Sequence, residues 1–279
     1  MPTSAALAPA IAETDSTIVL PGHGELRVRQ YGRKRTGTSG RPLVLHFHGG
    51  TFVSGDLESG AQLARLIAET DAVVLSVAYP LAPASPFPHA VETGYAALEW
   101  LHKHRTKLAG TEPRIYVAGE EAGGNLAAAV ALVARDQGHP PLAGQVLVAP
   151  MLDPCTGTPS LREATCDAAG CKYTEGWQQY LRSPRDAEHP YAVPGRVWRL
   201  AGLPPTLVLT GADDPMRDEA LAYAHRLEAG GIAVRIGVLA PVTGWPDSLS
   251  DADPAQCPCA TAAREHLCAF FQAPTPPPC

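Results

Sequence analysis

The sequence predicts an α/β fold in which a mostly parallel sheet of about eight strands is flanked by helices. Short runs rich in Val, Ile and Leu alternate with longer amphipathic segments, an order typical of strands joined by crossover helices. The later apolar runs contain few polar residues, as expected for parallel strands that are buried on both faces. With 279 residues, 45% of them hydrophobic and 18% charged, the whole chain 1–279 fits one domain with a large core.

Eight apolar segments predict the strands. They are residues 17–20, 25–31, 42–48, 72–79, 114–119, 145–150, 205–211 and 232–239. Amphipathic segments between and after them predict the helices, at residues 57–69, 88–108, 122–137, 216–230 and 260–272. This alternation by itself also fits a Rossmann-type sheet, so the order of the elements leaves the family open.

Three segments fall outside the alternation. Residues 1–16 lack a basic leader and a continuous apolar core, so we expect a flexible lead-in and not a signal peptide. Residues 155–200 contain Pro, Gly, Cys and scattered aromatic side chains, and we interpret them as a small lid inserted over the C-terminal edge of the sheet. The Pro-rich residues 273–279 predict an extended tail.

Charge and composition limit the classes of partner. The formal net charge is −6 and the chain has no basic run, which argues against binding to nucleic acid or to an anionic membrane surface. No apolar run approaches the roughly 20 residues that a membrane-spanning helix needs. We therefore expect a cytoplasmic protein that acts on a small molecule without a cofactor.

The seven cysteines do not form a metal-binding pattern. Neither the pair Cys257 and Cys259 nor the pair Cys166 and Cys171 has the Cys-x-x-Cys spacing of a zinc site, and no histidine cluster stands beside them. A cytoplasmic chain of this length does not require disulfides. We expect unpaired thiols and no bound metal.

Residues 115–125, IYVAGEEAGGN, join a β-type run to the Gly-rich start of a helix. They have the skeleton of the Gly-x-Ser-x-Gly nucleophile elbow, in which the central residue is exposed on a sharp turn between strand and helix. Glu121 occupies that central position. Because burial raises the pKa of a carboxyl group, a glutamate in a partly apolar pocket favours general acid–base chemistry. The other interpretation is a site that has lost its activity.

Four segments, in chain order, together resemble the hormone-sensitive-lipase-like branch of the α/β-hydrolase fold. Residues 46–56, HFHGGTFVSGD, resemble its His-Gly-Gly-Gly oxyanion loop, and residues 77–90 resemble its Tyr-Arg-Leu-Ala-Pro-Glu-x-Pro-Phe-Pro segment. Residues 118–125 take the place of its Gly-Asp-Ser-Ala-Gly-Gly-Asn motif. Residues 211–234 match the segment that carries the family's catalytic aspartate. The resemblance covers about residues 40–245 and implies the α/β-hydrolase fold.

The resemblance also implies a catalytic triad and an oxyanion hole. Members use a serine nucleophile, a histidine base, a carboxylate that orients the histidine, and backbone N–H groups that bind the oxyanion. Asp214 matches the carboxylate, but Glu121 replaces the serine and Thr243 replaces the histidine. With both the nucleophile and its base replaced, we expect no acyl-serine hydrolysis.

Further residues of these segments are expected to line the substrate site. They are His48, Gly49, Gly50, Thr51, Glu120, Ala122 and Trp245. His48 and Glu120 also have a purely structural interpretation, the first bracing the loop and the second packing beneath the elbow. Thr51 stands where the third glycine of the oxyanion loop would be. Trp177 and Trp198 lie in the lid segment, and we expect them to line the pocket.

Three functions remain open at this stage. The favoured one is a non-hydrolytic acid–base enzyme of isomerase, lyase, dehydratase or cyclase type, with Glu121, Asp214 and Thr243 as its catalytic residues. The second is a non-catalytic binder or scaffold, for which the plant gibberellin receptors of the same family, which have lost the triad histidine, are a precedent. The third is a carboxylesterase with atypical residues. Related proteins often pair through the edge strand, so residues 232–239 suggest a homodimer.

Overall fold

The computed structural model describes residues 11–34, 39–155, 157–164, 169–240 and 258–273. An eight-stranded sheet lies at its centre. The strands are β1 (Glu13–Leu20), β2 (Gly24–Tyr31), β3 (Pro42–Phe47), β4 (Val73–Val77), β5 (Arg114–Glu120), β6 (Gly144–Val148), β7 (Thr206–Gly211) and β8 (Val234–Leu239).

The sheet is mostly parallel, as predicted. Its strands lie in the order β1-β2-β4-β3-β5-β6-β7-β8. The β1/β2 and β2/β4 pairs are antiparallel, and the pairs from β4 across to β8 are all parallel. The carboxyl ends of the parallel strands therefore meet at one edge of the sheet, where ligand sites form in open α/β sheets.

Helices cover both faces of this sheet. Within the described residues they are α1 (Ala61–Glu69), α2 (His89–Ala109), α3 (Ala122–Gln137), α4 (Pro159–Ala164), α5 (Ala169–Tyr180), α6 (Arg217–Ala229) and α7 (Pro258–Gln272). Buried side chains of α2, α3 and α6 join one apolar core, and those of α1 and α7 join a second. Leu43 and Leu45 of β3 belong to the first core and Val44 to the second, as the alternation of side chains along a strand requires.

The ends of the chain differ in part from the prediction. The flexible lead-in predicted at residues 1–16 extends too far, because β1 begins at Glu13 and pairs with β2 from that residue onward. Its first residues are polar and exposed, so they do not show the apolar pattern of a buried strand. At the other end α7 stops at Gln272, and residues 274–279 of the predicted tail lie outside the described residues.

The cysteines also differ from the prediction. Cys155 and Cys268 are free thiols, whereas Cys259 is disulfide-bonded. The expectation that all the thiols are unpaired is therefore wrong. That expectation depended on the spacing of neighbouring cysteines in the sequence, which does not show which cysteines the fold brings together. None of the described helices is long and apolar enough to cross a membrane.

The inserted segment 155–200 lies between β6 and β7 and contains α4 and α5. Helix α5 packs on the loop that follows β3, with the rings of Trp177 and Tyr180 at 5.0 and 4.0 Å from the ring of Phe52. Trp177 is buried among these rings, while Trp198 is 95% exposed. The prediction that both tryptophans line the substrate pocket is wrong, because Trp177 is a packing residue and Trp198 lies on the exposed surface, beside Arg199 and Arg226.

Candidate active site

Glu121 lies on the sharp turn between β5 and α3, where the sequence predicted it. Its backbone has φ 54° and ψ −116°, in a region that residues with a side chain rarely adopt. Three hydrogen bonds hold it: the Glu121 N–H donates to Val148 O at 2.9 Å, and Glu121 O accepts from the N–H groups of Met151 at 2.9 Å and Asn125 at 3.2 Å. The neighbouring strand and the helix thus fix the strained conformation from both sides.

Gly123, near the start of α3, allows this helix to approach the end of β3 closely. A Cβ atom there would lie 2.1 Å from Phe47 O and 2.4 Å from His48 O, closer than any side chain tolerates. The N-terminus of α3 therefore lies directly against the loop that follows β3. The first N–H groups of a helix have no helical partners, and the helix dipole favours negative charge at this end. Ala122, the first residue of α3, brings such a group to the turn.

The loop after β3 presents its N–H groups to the two glutamates of the turn. Gly50 donates to Glu121 Oε2 at 3.0 Å, and Gly49 donates to Glu120 Oε1 at 3.0 Å. Thr51 follows with φ 50°, in the left-handed region, and is buried. The backbone donors that the sequence assigned to an oxyanion hole therefore contact carboxylates of the chain itself.

Glu120 points beneath the turn and acts as a brace. Its Oε2 lies 2.8 Å from His46 Nε2, and His46 Nδ1 lies 2.9 Å from Ser76 Oγ. His46 is fully buried. With its other oxygen bound to Gly49, Glu120 ties the oxyanion loop to strands β3 and β4, which supports the structural interpretation of this residue.

His48 also holds the loop in place. The ring is buried, its Nδ1–H donates to Gly49 O at 2.7 Å, and it stacks on Tyr79 at 4.3 Å between ring centroids. The Tyr79 hydroxyl donates to His48 O at 2.8 Å. Burial lowers the pKa of His48, so the ring is neutral at pH 7. Its Nε2 has no hydrogen-bond partner in the described part of the chain.

Asp214 is buried at the turn between β7 and α6. Its Oδ2 accepts from the Thr210 hydroxyl at 2.7 Å and its Oδ1 from the Met216 N–H at 2.8 Å. Burial raises the pKa of Asp214. Both oxygens are thus bound within its own turn. Thr243 and Trp245, the other predicted members of this side of the site, lie outside the described residues.

Glu219 of α6 is a largely buried acid that the sequence did not point to. Its carboxylate accepts from the N–H groups of Leu152 at 3.2 Å and Asp153 at 3.3 Å. Burial raises the pKa of Glu219 to about 8, and the carboxylate of Asp153 adds to this rise. The segment that Glu219 holds also supplies the Met151 N–H that binds the backbone of Glu121, so α6 supports the turn indirectly.

Lys172 of α5 is the second residue that the sequence did not reveal. Its Nζ lies 3.9 Å from Glu121 Oε1, and its side chain is 46% exposed. The two residues are distant in the sequence, and Lys172 belongs to a segment that resembles no motif. Only the structure shows which side of α5 faces the site: Gly176, one helical turn after Lys172, packs against Thr51. Among the described residues no cluster of His, Cys, Asp and Glu could hold a metal ion.

Comparisons with known proteins bear on both fold and chemistry. A family model described as the alpha/beta hydrolase fold matches residues 44–242. The chain is 39% identical over 199 residues to Esterase LipI of Mycobacterium tuberculosis, which covers 70% of this chain and 62% of LipI. It is 31% identical over 208 residues to Gibberellin receptor GID1A of Arabidopsis thaliana, covering 70% of this chain and 59% of the receptor. The chain therefore spans only about three fifths of these curated relatives.

A solved structure covers more of the chain. The crystal structure of EstE1, a thermophilic carboxylesterase cloned from a metagenomic library, has a TM-score of 0.83 and 36% sequence identity. The match covers 96% of this chain and 92% of EstE1.

These comparisons confirm the predicted fold and correct the predicted chemistry. LipI and EstE1 are both named as esterases, which favours ester hydrolysis over an isomerase, lyase, dehydratase or cyclase reaction. The expectation of a non-hydrolytic enzyme that is not a serine esterase is therefore wrong, and the comparisons favour the carboxylesterase alternative instead. The expectation depended on the residues at positions 121 and 243 alone, whereas the two likenesses extend over 70% and 96% of this chain.

Proposed function

Because the chain belongs to the α/β-hydrolase-fold family, we propose that it is a carboxylesterase that hydrolyses esters of small carboxylic acids, with Glu121 in the position of the family's serine. One observation carries the proposal: the Gly50 N–H donates to Glu121 Oε2 at 3.0 Å. This contact puts a proton acceptor beside the kind of backbone donor that stabilises an oxyanion in acyl transfer. The esterase names of LipI and EstE1 support the same reaction class.

In the proposed reaction Glu121 acts as a general base towards water. The ester carbonyl oxygen takes the place of Glu121 Oε2 at the Gly50 N–H, and the carboxylate turns towards a water molecule beside the carbonyl carbon. Glu121 accepts a proton as the water oxygen bonds to that carbon. The N–H groups of Gly50 and Ala122 stabilise the negative charge on the carbonyl oxygen. Collapse of the tetrahedral intermediate releases the alcohol and the carboxylic acid.

The other expected site residues have supporting roles in this proposal. Asp214 fixes the turn after β7, and His48, Gly49 and Glu120 hold the oxyanion loop. Thr51 bounds the site beneath the lid helix. We assign Thr243 and Trp245 to this site from their place in the segment that matches the family's histidine motif.

A second candidate function is binding of a small molecule without turnover. The observation in its favour is that Glu121 already contacts the Gly50 N–H and lies 3.9 Å from Lys172, so a carboxylate fills the anion-binding position. The likeness to Gibberellin receptor GID1A supports it as well. For either function we propose a homodimer through β8, which lies at one edge of the sheet.

Hydrolysis of p-nitrophenyl acetate and butyrate by the purified chain tests the proposal. We expect release of p-nitrophenol well above the buffer rate, and Glu121→Gln should lower kcat by roughly 100-fold, the usual size of a general-base contribution. Glu228→Gln, an exposed glutamate of α6, is the matched control and should leave kcat unchanged. If the wild type binds an ester and returns it unchanged, the binding function replaces the esterase.

A further inference from the structure

We propose that Lys172 is a second catalytic residue, which donates a proton to the alcohol oxygen as it leaves the ester. The proposal rests on the esterase function proposed above and extends it to the leaving group. It starts from the contact of Lys172 Nζ with Glu121 Oε1 at 3.9 Å.

Helix α5 is held firmly against the oxyanion loop by one of its faces. Tyr173, Trp177 and Tyr180 follow one another at helical spacing and are all buried. The ring of Phe52, a residue of the oxyanion loop, stacks on Tyr180 with an interplanar angle of 7°, and its centroid lies 5.0 Å from that of the Trp177 ring. These contacts fix both the height and the rotation of α5 above the loop.

The adjacent side of α5 places Lys172 over the turn. A Cβ atom on Gly176 would lie 2.3 Å from Thr51 O, so the helix backbone touches the loop at this glycine. Lys172 lies one turn earlier on the same side of the helix. Its Nζ lies 4.9 Å from the ring centroid of Tyr173, a distance at which the ring attracts a cation. The ammonium group is thus supported beside the elbow.

The ion pair between Lys172 and Glu121 has little value as a structural support. The Lys172 side chain is 46% exposed, and ion pairs that water reaches contribute little to stability. The same exposure leaves the ammonium group free to move between the carboxylate and a leaving group. Hydrolysis of an alkyl ester requires a proton acceptor for the attacking water and a proton donor for the leaving alcohol oxygen.

The proposed step balances without a further reactant. The water oxygen bonds to the carbonyl carbon while one water proton moves to Glu121. The bond from that carbon to the alcohol oxygen then breaks, and the Lys172 ammonium gives its proton to this oxygen. Transfer of the proton from Glu121 to the neutral Lys172 amine restores both groups. The net reaction converts ester and water into carboxylic acid and alcohol.

Two esters with the same acyl group test the role of Lys172. Ethyl acetate releases ethoxide, which needs a proton to leave, whereas p-nitrophenyl acetate releases a stable phenolate. Lys172→Met should lower kcat/KM for ethyl acetate by about 100-fold and leave that for p-nitrophenyl acetate within about threefold. Lys172→Arg should behave like the methionine variant, because a guanidinium group does not release its proton. Lys103→Met, an exposed lysine of α2, should change neither rate.

The outcomes separate this proposal from the esterase function on which it rests. Activity on p-nitrophenyl acetate shows that each variant is folded. If Lys172→Met slows both esters equally, or if arginine restores hydrolysis of ethyl acetate, Lys172 acts only through its charge and the proposal is overturned. If the variants match the wild type on both esters, the proposal fails and the esterase function stands. If the wild type hydrolyses neither ester, both the role of Lys172 and the esterase function are wrong.

Discussion

Replacing Gly176 by alanine tests whether α5 is packed on the oxyanion loop. The added Cβ would lie 2.3 Å from Thr51 O and 2.8 Å from Thr51 Cβ, whereas ordinary contacts begin at 3.4 Å. The nearest atom is a backbone oxygen, so relief requires the helix or the loop to move by about 1 Å. Forcing a methyl group into packed structure costs about 1–3 kcal/mol. Removing glycine from a helix interior returns up to about 1 kcal/mol.

We therefore expect Gly176→Ala to lower the free energy of unfolding by about 1–2 kcal/mol. Urea denaturation followed by tryptophan fluorescence measures this value, provided that the m-value is unchanged. Gln178→Ala is the matched control, because residue 178 is exposed on the same helix and should change stability by no more than about 0.5 kcal/mol. The shift of α5 should also slow hydrolysis of ethyl acetate. A variant as stable and as active as the wild type would refute the packing of α5 on Thr51.

Two further predictions concern the buried acids. Thr210→Val removes the hydroxyl that donates to the buried Asp214 carboxylate. We expect the free energy of unfolding, measured by urea denaturation at pH 7, to fall by about 1–3 kcal/mol. An unchanged value would mean that this hydrogen bond contributes nothing to stability. The pKa of Glu219 is about 8 in the folded protein and 4.5 in its ordinary state. Between these values the folded protein keeps a proton that the unfolded chain has lost, so the free energy of unfolding should fall as the pH rises. Thermal denaturation from pH 5 to 9 should show this fall, by about 1–3 kcal/mol because water reaches part of the carboxyl group, and Glu219→Gln should remove it. An equal fall in both proteins would assign it to another group.

Much of the fold was predictable because it follows local patterns. Buried parallel strands are apolar at nearly every position, and β3, β5 and β7 show this directly. The position of Glu121 was predictable as well, because Gly119 and Gly123 are required where the helix approaches the strand and loop closely. Strand β1 was placed too late, since an edge strand with exposed polar residues lacks that apolar signal.

The contacts that complete the site were not predictable from local patterns. Lys172 reaches Glu121 only because the packing of α5 on Phe52 and Thr51 brings two distant segments together. Glu219 has a raised pKa because the fold buries it against the segment after β6, and no motif marks that contact. The reaction class was mistaken for a different reason: the prediction depended on the two residues at positions 121 and 243, whereas the esterase names of LipI and EstE1 favour hydrolysis.

Hydrolysis in ¹⁸O-labelled water tests the role of Glu121 most directly. The chain is incubated with p-nitrophenyl acetate in labelled water, and mass spectrometry follows the label in the released acetate and in the peptide that contains Glu121. If Glu121 is a general base, every acetate molecule carries one solvent oxygen and the peptide carries none, while Glu121→Gln releases little labelled acetate. Label accumulating on Glu121 would show that it attacks the ester itself, and recovery of the unchanged ester would contradict the esterase function.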